Sequence, residues 1–360
     1  MTTASTAEPG HDELADAAES ALRSVAPAQD LRVAVLGVGA MGAYHVAGLT
    51  QRTSGVRVTV INDFSLERAE QVSESAPGSR VVADPFEAIR ADDVDAVVIA
   101  TPGAAHEAQV LACLERGIPV LCEKPLTVAI DTAYAIVERE AALGRRLVQV
   151  GFMRRFDAEY AGLKRLITEG RIGNPLMVHC IHRNPDVPPH FDSEMMIRDS
   201  VVHEVDVARF LLDEEIVAVQ VIKGQATSQA PPGVSDPMLV IFETESGRIV
   251  TDEIFVRTGV AYEVRTEVVG ERGSATIGLD QNVVVKTTDG RWGGAISPGF
   301  VERFGAAYDI ELQRWVDAAK RGTVDGPGSW DGYAAVAVCE AGAEAVRTGE
   351  KVKVQMEPRP

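Results

Sequence analysis

Along the first 150 positions, apolar residues fall in short solid runs with little alternation. The runs are 32–36 (RVAVL), Val56 to Ile61, Arg80 to Val82, Asp95 to Ala100, Pro119 to Cys122 and Leu147 to Val150. Strands buried on both faces read this way. Helix signals stand between them. Ser65 can cap a helix running to about Ser75, and Asp84-Pro85 supplies a cap and a first-turn proline. Ala104 to Arg116 stops at Gly117, and Thr127 to Leu143 stops at Gly144. Alternating strands and helices predict an α/β unit over 30–150, built on a doubly wound parallel sheet.

Beyond residue 151 the pattern changes. A helix is predicted over Ala158 to Glu169 and a strand over Pro175 to Arg183. A proline-rich loop (Asn184 to His190) and a helix from Asp199 to Leu212 follow. From Ile216 to Lys286 strands succeed one another without helices. Within them Tyr262, Val264, Thr266 and Val268 alternate with Glu263, Arg265 and Glu267, the mark of a half-exposed antiparallel sheet. Helices return at Val301 to Lys320 and Trp330 to Arg347. Residues 151–360 therefore read as an α+β domain with a large, mainly antiparallel sheet open on one face. Residues 1–29 read as a flexible arm in which only His11 to Val25 could be helical.

A length of 360 residues gives a prior of about two domains. Hydrophobic residues at 46% and charged residues at 24% exclude wholesale disorder. The net charge of -18, from 35 basic and 53 acidic residues, argues against nucleic acid and anionic membranes as partners. No apolar run approaches the roughly 18 residues of a membrane span. The first residues have neither the basic nor the apolar region of a secretory signal. Cys113, Cys122, Cys180 and Cys339 form no C-x-x-C pair, so zinc and redox sites are not expected. They read as buried free thiols in a reducing cytoplasm.

Gly37-Val38-Gly39-Ala40-Met41-Gly42 reads G-x-G-x-x-G between the first strand and the first helix. The first glycine permits the tight turn, the second lets backbone approach a pyrophosphate, and the third packs helix on strand. The helix N-terminus offers N–H donors to phosphate. Asp63, at the end of the second strand, can accept both ribose hydroxyls and would repel a 2′-phosphate. This points to a Rossmann domain for NAD. Glu123-Lys124-Pro125 follows the fifth strand at its carboxyl end, where open α/β sheets bind ligands. An ammonium there can hold a substrate hydroxyl and favour its ionised form. Asp199 and His203, four apart on a predicted helix, would share a face. Histidine is the natural base near neutral pH, and a carboxylate one turn away can orient it. A metal would need a third ligand, and none is clustered with them.

The glycine fingerprint, Glu123-Lys124-Pro125 and Asp199-x-x-x-His203, in that order, resemble the Gfo/Idh/MocA oxidoreductases. Gly151 to Asp157 (GFMRRFD), Asp199 to Asp206 (DSVVHEVD) and Trp330 to Ala335 (WDGYAA) resemble its inositol 2-dehydrogenase branch. The likeness spans about 30 to 355. It implies that Lys124 holds the reacting hydroxyl, His203 is the base, and Asp199 binds substrate and supports His203. It implies that Arg154 lines the site near nicotinamide and substrate, with Tyr262, His182 and Tyr308 contacting hydroxyls. Thr101, Pro102, His106 and Glu123 fall on the cofactor side. Phe156 stands where the family often has tyrosine. A cis Lys124–Pro125 bond and a homotetramer joined through the C-terminal sheet are also implied. The expected activity is NAD-dependent oxidation of a cyclic polyol to a ketone, with myo-inositol first and scyllo-inositol or a pyranose as alternatives. A non-catalytic NAD-binding sensor is the alternative of another class.

Overall fold

The computed structural model describes residues 29–278, 285–287, 290–292 and 297–360. The expected arm up to residue 28, with His11 to Val25, lies outside the described residues, as do 279–284 within the expected strand run.

The six apolar runs become β1 (Leu31–Leu36), β2 (Val56–Asn62), β3 (Arg80–Val82), β4 (Ala96–Ile99), β5 (Val120–Cys122) and β6 (Val148–Val150). They pair in parallel in the order β3-β2-β1-β4-β5-β6. Val33 to Leu36 and Val97 to Ile99 are wholly buried, which is why these strands lack polar alternation. The intervening helices are α1 (Ala40–Gln51), α2 (Leu66–Ser73), α3 (Pro85–Arg90), α4 (His106–Arg116) and α5 (Ile130–Leu143). The Ser65 hydroxyl accepts from Arg68 N and the Asp84 carboxylate from Phe86 N, while Gly117 and Gly144 end their helices in the left-handed conformation. Strand order reverses between β1 and β4, opening a crevice beyond their carboxyl ends.

The second sheet contains β7 (Pro175–Arg183), β8 (Ile216–Lys223), β9 (Met238–Thr244), β10 (Ile249–Phe255), β11 (Glu263–Gly270) and β12 (Gly273–Ile277). β13 (Val285–Thr287) and β14 (Gly290–Trp292) form a separate hairpin, and β15 (Val352–Lys353) joins the sheet's edge. The sheet order is β12-β11-β7-β10-β9-β8-β15, antiparallel except between β7 and β10. That parallel pair needs a long crossover, which the helical segment after β7 supplies.

The remaining helices are α6 (Ala158–Thr168), α7 (Val202–Leu212), α8 (Phe300–Ala319) and α9 (Ser329–Thr348). α7 packs on β7 and α9 on β8, covering one face of the sheet, while α8 bridges to α1. His182 lies on the covered face. The helix expected from Asp199 begins earlier. A turn at Ser193–Met195, capped by Asp192, widens into a π-helical turn at Met196–Val201 before α7. No helix among the described residues is long and apolar enough to cross a membrane.

Candidate functional site

The crevice is shaped by the glycine loop. Gly37 has φ +78°, and a Cβ there would lie 2.7 Å from Ala100 O and Thr101 N. A Cβ on Gly42 would sit 1.8 Å from Gly37 O, so α1 approaches β1 only without a side chain. A Cβ on Gly39 would meet nothing within 4 Å, which leaves room for a ligand's backbone approach. Asp63 ties the loop down. Its Oδ2 accepts from Val38 N at 2.7 Å, and its Oδ1 accepts from Ser65 N at 2.8 Å and from Arg68 at 2.6 Å. Burial alone would raise this carboxyl, but those donors outweigh it and hold it below the ordinary aspartate value. Open space at Gly39, the exposed start of α1 at Ala40, half-buried Met41 and a carboxylate at the end of β2 fit a dinucleotide with free ribose hydroxyls.

Two residues expected on the cofactor side turn inward. His106 is buried, with Nδ1 2.8 Å from Pro125 O and Nε2 2.7 Å from Thr101 O. It braces the Thr101-Pro102 turn against the Lys124-Pro125 turn, and neither ring nitrogen is left for a ligand. Glu123 is also buried, its Oε1 2.7 Å from His45 Nε2 and its Oε2 3.3 Å from Lys124 N. Its carboxylate is thus engaged within the protein. Burial opposes its ionisation, but His45 and Lys124 prevail and hold it below the usual glutamate range. His45 escaped sequence reasoning, although it lies one turn beyond Gly42 on the buried face of α1.

From the other side, the helical segment before α7 meets β5. The Lys124–Pro125 bond is cis, and Lys124 Nζ donates to Asp199 O at 2.9 Å. His203 is 8% exposed, its Nδ1 buried without a partner and its ring 6.5 Å from that of Phe152. Burial, then the charges of Arg154 and Lys124, hold this imidazole well below its ordinary value of 6.5. The Asp199 carboxylate is half-buried and bonds no described residue. The expected support of His203 by Asp199 is therefore not made. The helix is π-type over Met196–Val201, just before it continues as α7.

Arg154, expected in the site lining, is 1% exposed, and its guanidinium pairs with Glu204 and lies over the Phe304 ring at 5.5 Å. It stands behind the histidines. Sequence reasoning missed Glu204, which follows His203 and accepts from His182 Nδ1 at 3.0 Å. The His182 ring is 6.3 Å from that of His203 and 5.7 Å from that of Tyr262. Tyr308, on α8, packs at 5.5 Å from Tyr44 and 6.2 Å from His45, on the nucleotide-domain side. Phe300 links it to Tyr262 through ring contacts of 6.4 and 6.5 Å. The fold thus assembles an ammonium, a carboxylate, two imidazoles and a phenol beside the crevice. Such a set suits an uncharged ligand rich in hydroxyls. Among the described residues no group of three His, Cys, Asp or Glu side chains could hold a metal ion.

Residues 31–152 match the oxidoreductase family with an NAD-binding Rossmann fold, and residues 164–354 match that family's C-terminal alpha/beta domain. The chain is 64% identical over 336 residues to an inositol 2-dehydrogenase of Rhodococcus erythropolis, covering 92% of this chain and 97% of that protein. It is 60% identical to an inositol 2-dehydrogenase of Mycolicibacterium gilvum, over 91% of this chain and 94% of that one. The crystal structure of myo-inositol dehydrogenase from Lactobacillus casei, in complex with NAD(H) and myo-inositol, superposes with a TM-score of 0.88 at 31% identity. It covers 92% of this chain and 99% of that chain.

Proposed function

The chain belongs to the Gfo/Idh/MocA oxidoreductase family, and on that premise we propose that it oxidises myo-inositol to 2-keto-myo-inositol with NAD. The observation that carries the reading is the meeting of Lys124 from β5 with the Asp199–His203 segment, beside a crevice fitted to a dinucleotide. NAD, when bound, supplies the hydride acceptor. The backbone of Gly37, Val38, Gly39, Ala40, Met41 and Gly42 would hold its phosphates and Asp63 its ribose, with Thr101 and Pro102 forming the wall beyond β4.

Lys124 Nζ holds the reacting hydroxyl and stabilises charge developing on its oxygen. Because Nδ1 of His203 is buried, Nε2 takes the hydroxyl proton. A secondary alcohol barely ionises at neutral pH, so proton removal must accompany loss of hydride. Asp199 accepts from a neighbouring hydroxyl, while Tyr262 and His182 line the same wall. Tyr308 borders the nucleotide side, and Arg154 acts from behind as a fixed charge.

We also read the enzyme as a homotetramer of inositol catabolism in the cytoplasm, where buried free thiols stay reduced. NADH formation on a panel of myo-inositol, scyllo-inositol and pyranoses tests the function. Myo-inositol should give the highest kcat/KM. A preference for another ring would shift the substrate, and no turnover on any of them would favour a non-catalytic NAD sensor.

A further inference from the structure

His182 and His203 lie beside the cleft, and among the described residues only His182 is backed by a carboxylate. Glu204 is 1% exposed and joins residues from two other elements. One is Arg154, in the turn after β6, and the other is His182 on β7. Arg154 keeps Glu204 ionised against the opposing effect of burial. Asp252, on the neighbouring strand β10, is wholly buried without a partner among the described residues, and burial, then the charge of Glu204, pushes its carboxyl well above the ordinary aspartate value.

The hydrogen on His182 can be placed by elimination. Its Nδ1 lies 3.0 Å from Glu204 Oε2 and 3.3 Å from an Arg154 amino nitrogen. A carboxylate only accepts and a guanidinium only donates. A lone pair on Nδ1 would face an ionised oxygen at the shorter distance, so Nδ1 carries the hydrogen and donates to Glu204. A neutral imidazole has a single N–H, which leaves Nε2 with the lone pair. Nε2 bonds no described residue, and the ring lies between those of Tyr262 and His203.

From this geometry we propose that Glu204 is a positioning residue. It fixes the His182 tautomer and so makes Nε2 an acceptor for one polyol hydroxyl next to the carbon that is oxidised. This rests on the reading of the chain as a polyol dehydrogenase. An acceptor held in one tautomer rewards a hydroxyl at a single ring position and gives nothing to a ring that lacks it. His182 with Glu204 is then a specificity element, distinct from the proton transfer at His203.

Glu204→Gln tests the proposal because an amide cannot serve both partners as the carboxylate does. Arg154 offers only N–H groups and takes the amide oxygen. The amide NH₂ then faces His182 Nδ1, which must accept, and the hydrogen moves to Nε2. Two-bond ¹H–¹⁵N correlation of histidine-labelled protein reads the tautomer directly, with His182→Phe identifying the resonance. The wild-type protein should show Nδ1–H and the Gln variant Nε2–H. Kinetics on a monodeoxy-inositol series supply a second readout. One analogue should lose about tenfold in kcat/KM with wild-type enzyme, the scale of one hydrogen bond. That penalty should vanish in His182→Phe, where the imidazole itself is gone. A wild-type His182 with bare Nδ1, or a deoxy penalty that survives in His182→Phe, overturns the proposal, even if the Gln variant does not fold. Failure of the wild-type enzyme to oxidise any inositol would instead sink the polyol reading and leave the tautomer measurement standing.

Discussion

His203 is kept neutral by its surroundings. Burial and two nearby cations, Arg154 and Lys124, disfavour the imidazolium, so the free base dominates well below pH 6.5. Protonation inactivates a general base, so kcat/KM should stay level as pH falls through 6.5 and drop only well below it. A pH–rate profile whose acid limb lies at or above 6.5 would contradict this. Asp63 is the second informative residue. It anchors the glycine loop at Val38 N and holds Arg68. A 2′-phosphate would meet that carboxylate, so Asp63→Ser should narrow the NAD/NADP ratio of kcat/KM and free Arg68 to pair with phosphate. Equal use of both cofactors by the wild-type enzyme would show that Asp63 does not select between them.

The junction of β1 with α1 is close-packed through Gly42. At Gly42 a methyl group would be 1.8 Å from Gly37 O, so α1 must shift to admit it. Gly42→Ala should destabilise the domain by about 1–3 kcal/mol and weaken NAD binding; unchanged NAD affinity by calorimetry would argue against close packing there. This first sheet was legible because buried runs such as 32–36 and 95–100 have one reading once helices separate them. The second sheet was legible as strands, but the parallel pairing of β7 with β10 depends on a long crossover that periodicity does not encode. The π turn at Met196–Val201 was hidden too, since Asp199 and His203 have the same spacing whether or not the helix widens between them. Motif position placed Glu123 and His106 at the strand ends. It could not say that their side chains turn inward to His45 and to two carbonyls. Glu204 stayed hidden because its partners, Arg154 and His182, come from distant parts of the chain.

At the scale of the whole molecule, one face of the second sheet is the more exposed among the described residues. Ile222, Leu239 and Ile249 are more than a third exposed there, with Ile222 opposite Leu239 and Ile249 opposite Met177, while Ile181 faces Glu253 and Ile241 faces Thr251. An apolar face of this kind marks an interface, and light scattering at micromolar concentration should return a tetramer; a monomer would remove that claim. The cleft is built within one chain, with Lys124 supplied by the nucleotide domain and His203 by the sheet domain. The most direct measurement is the turnover of His203→Ala against wild type, followed as NADH formation at saturating myo-inositol, with NAD affinity measured in parallel. Loss of the base should lower kcat by about 10²–10⁴-fold while NAD binding is nearly unchanged. Turnover close to wild type would make Lys124 the base and contradict the account.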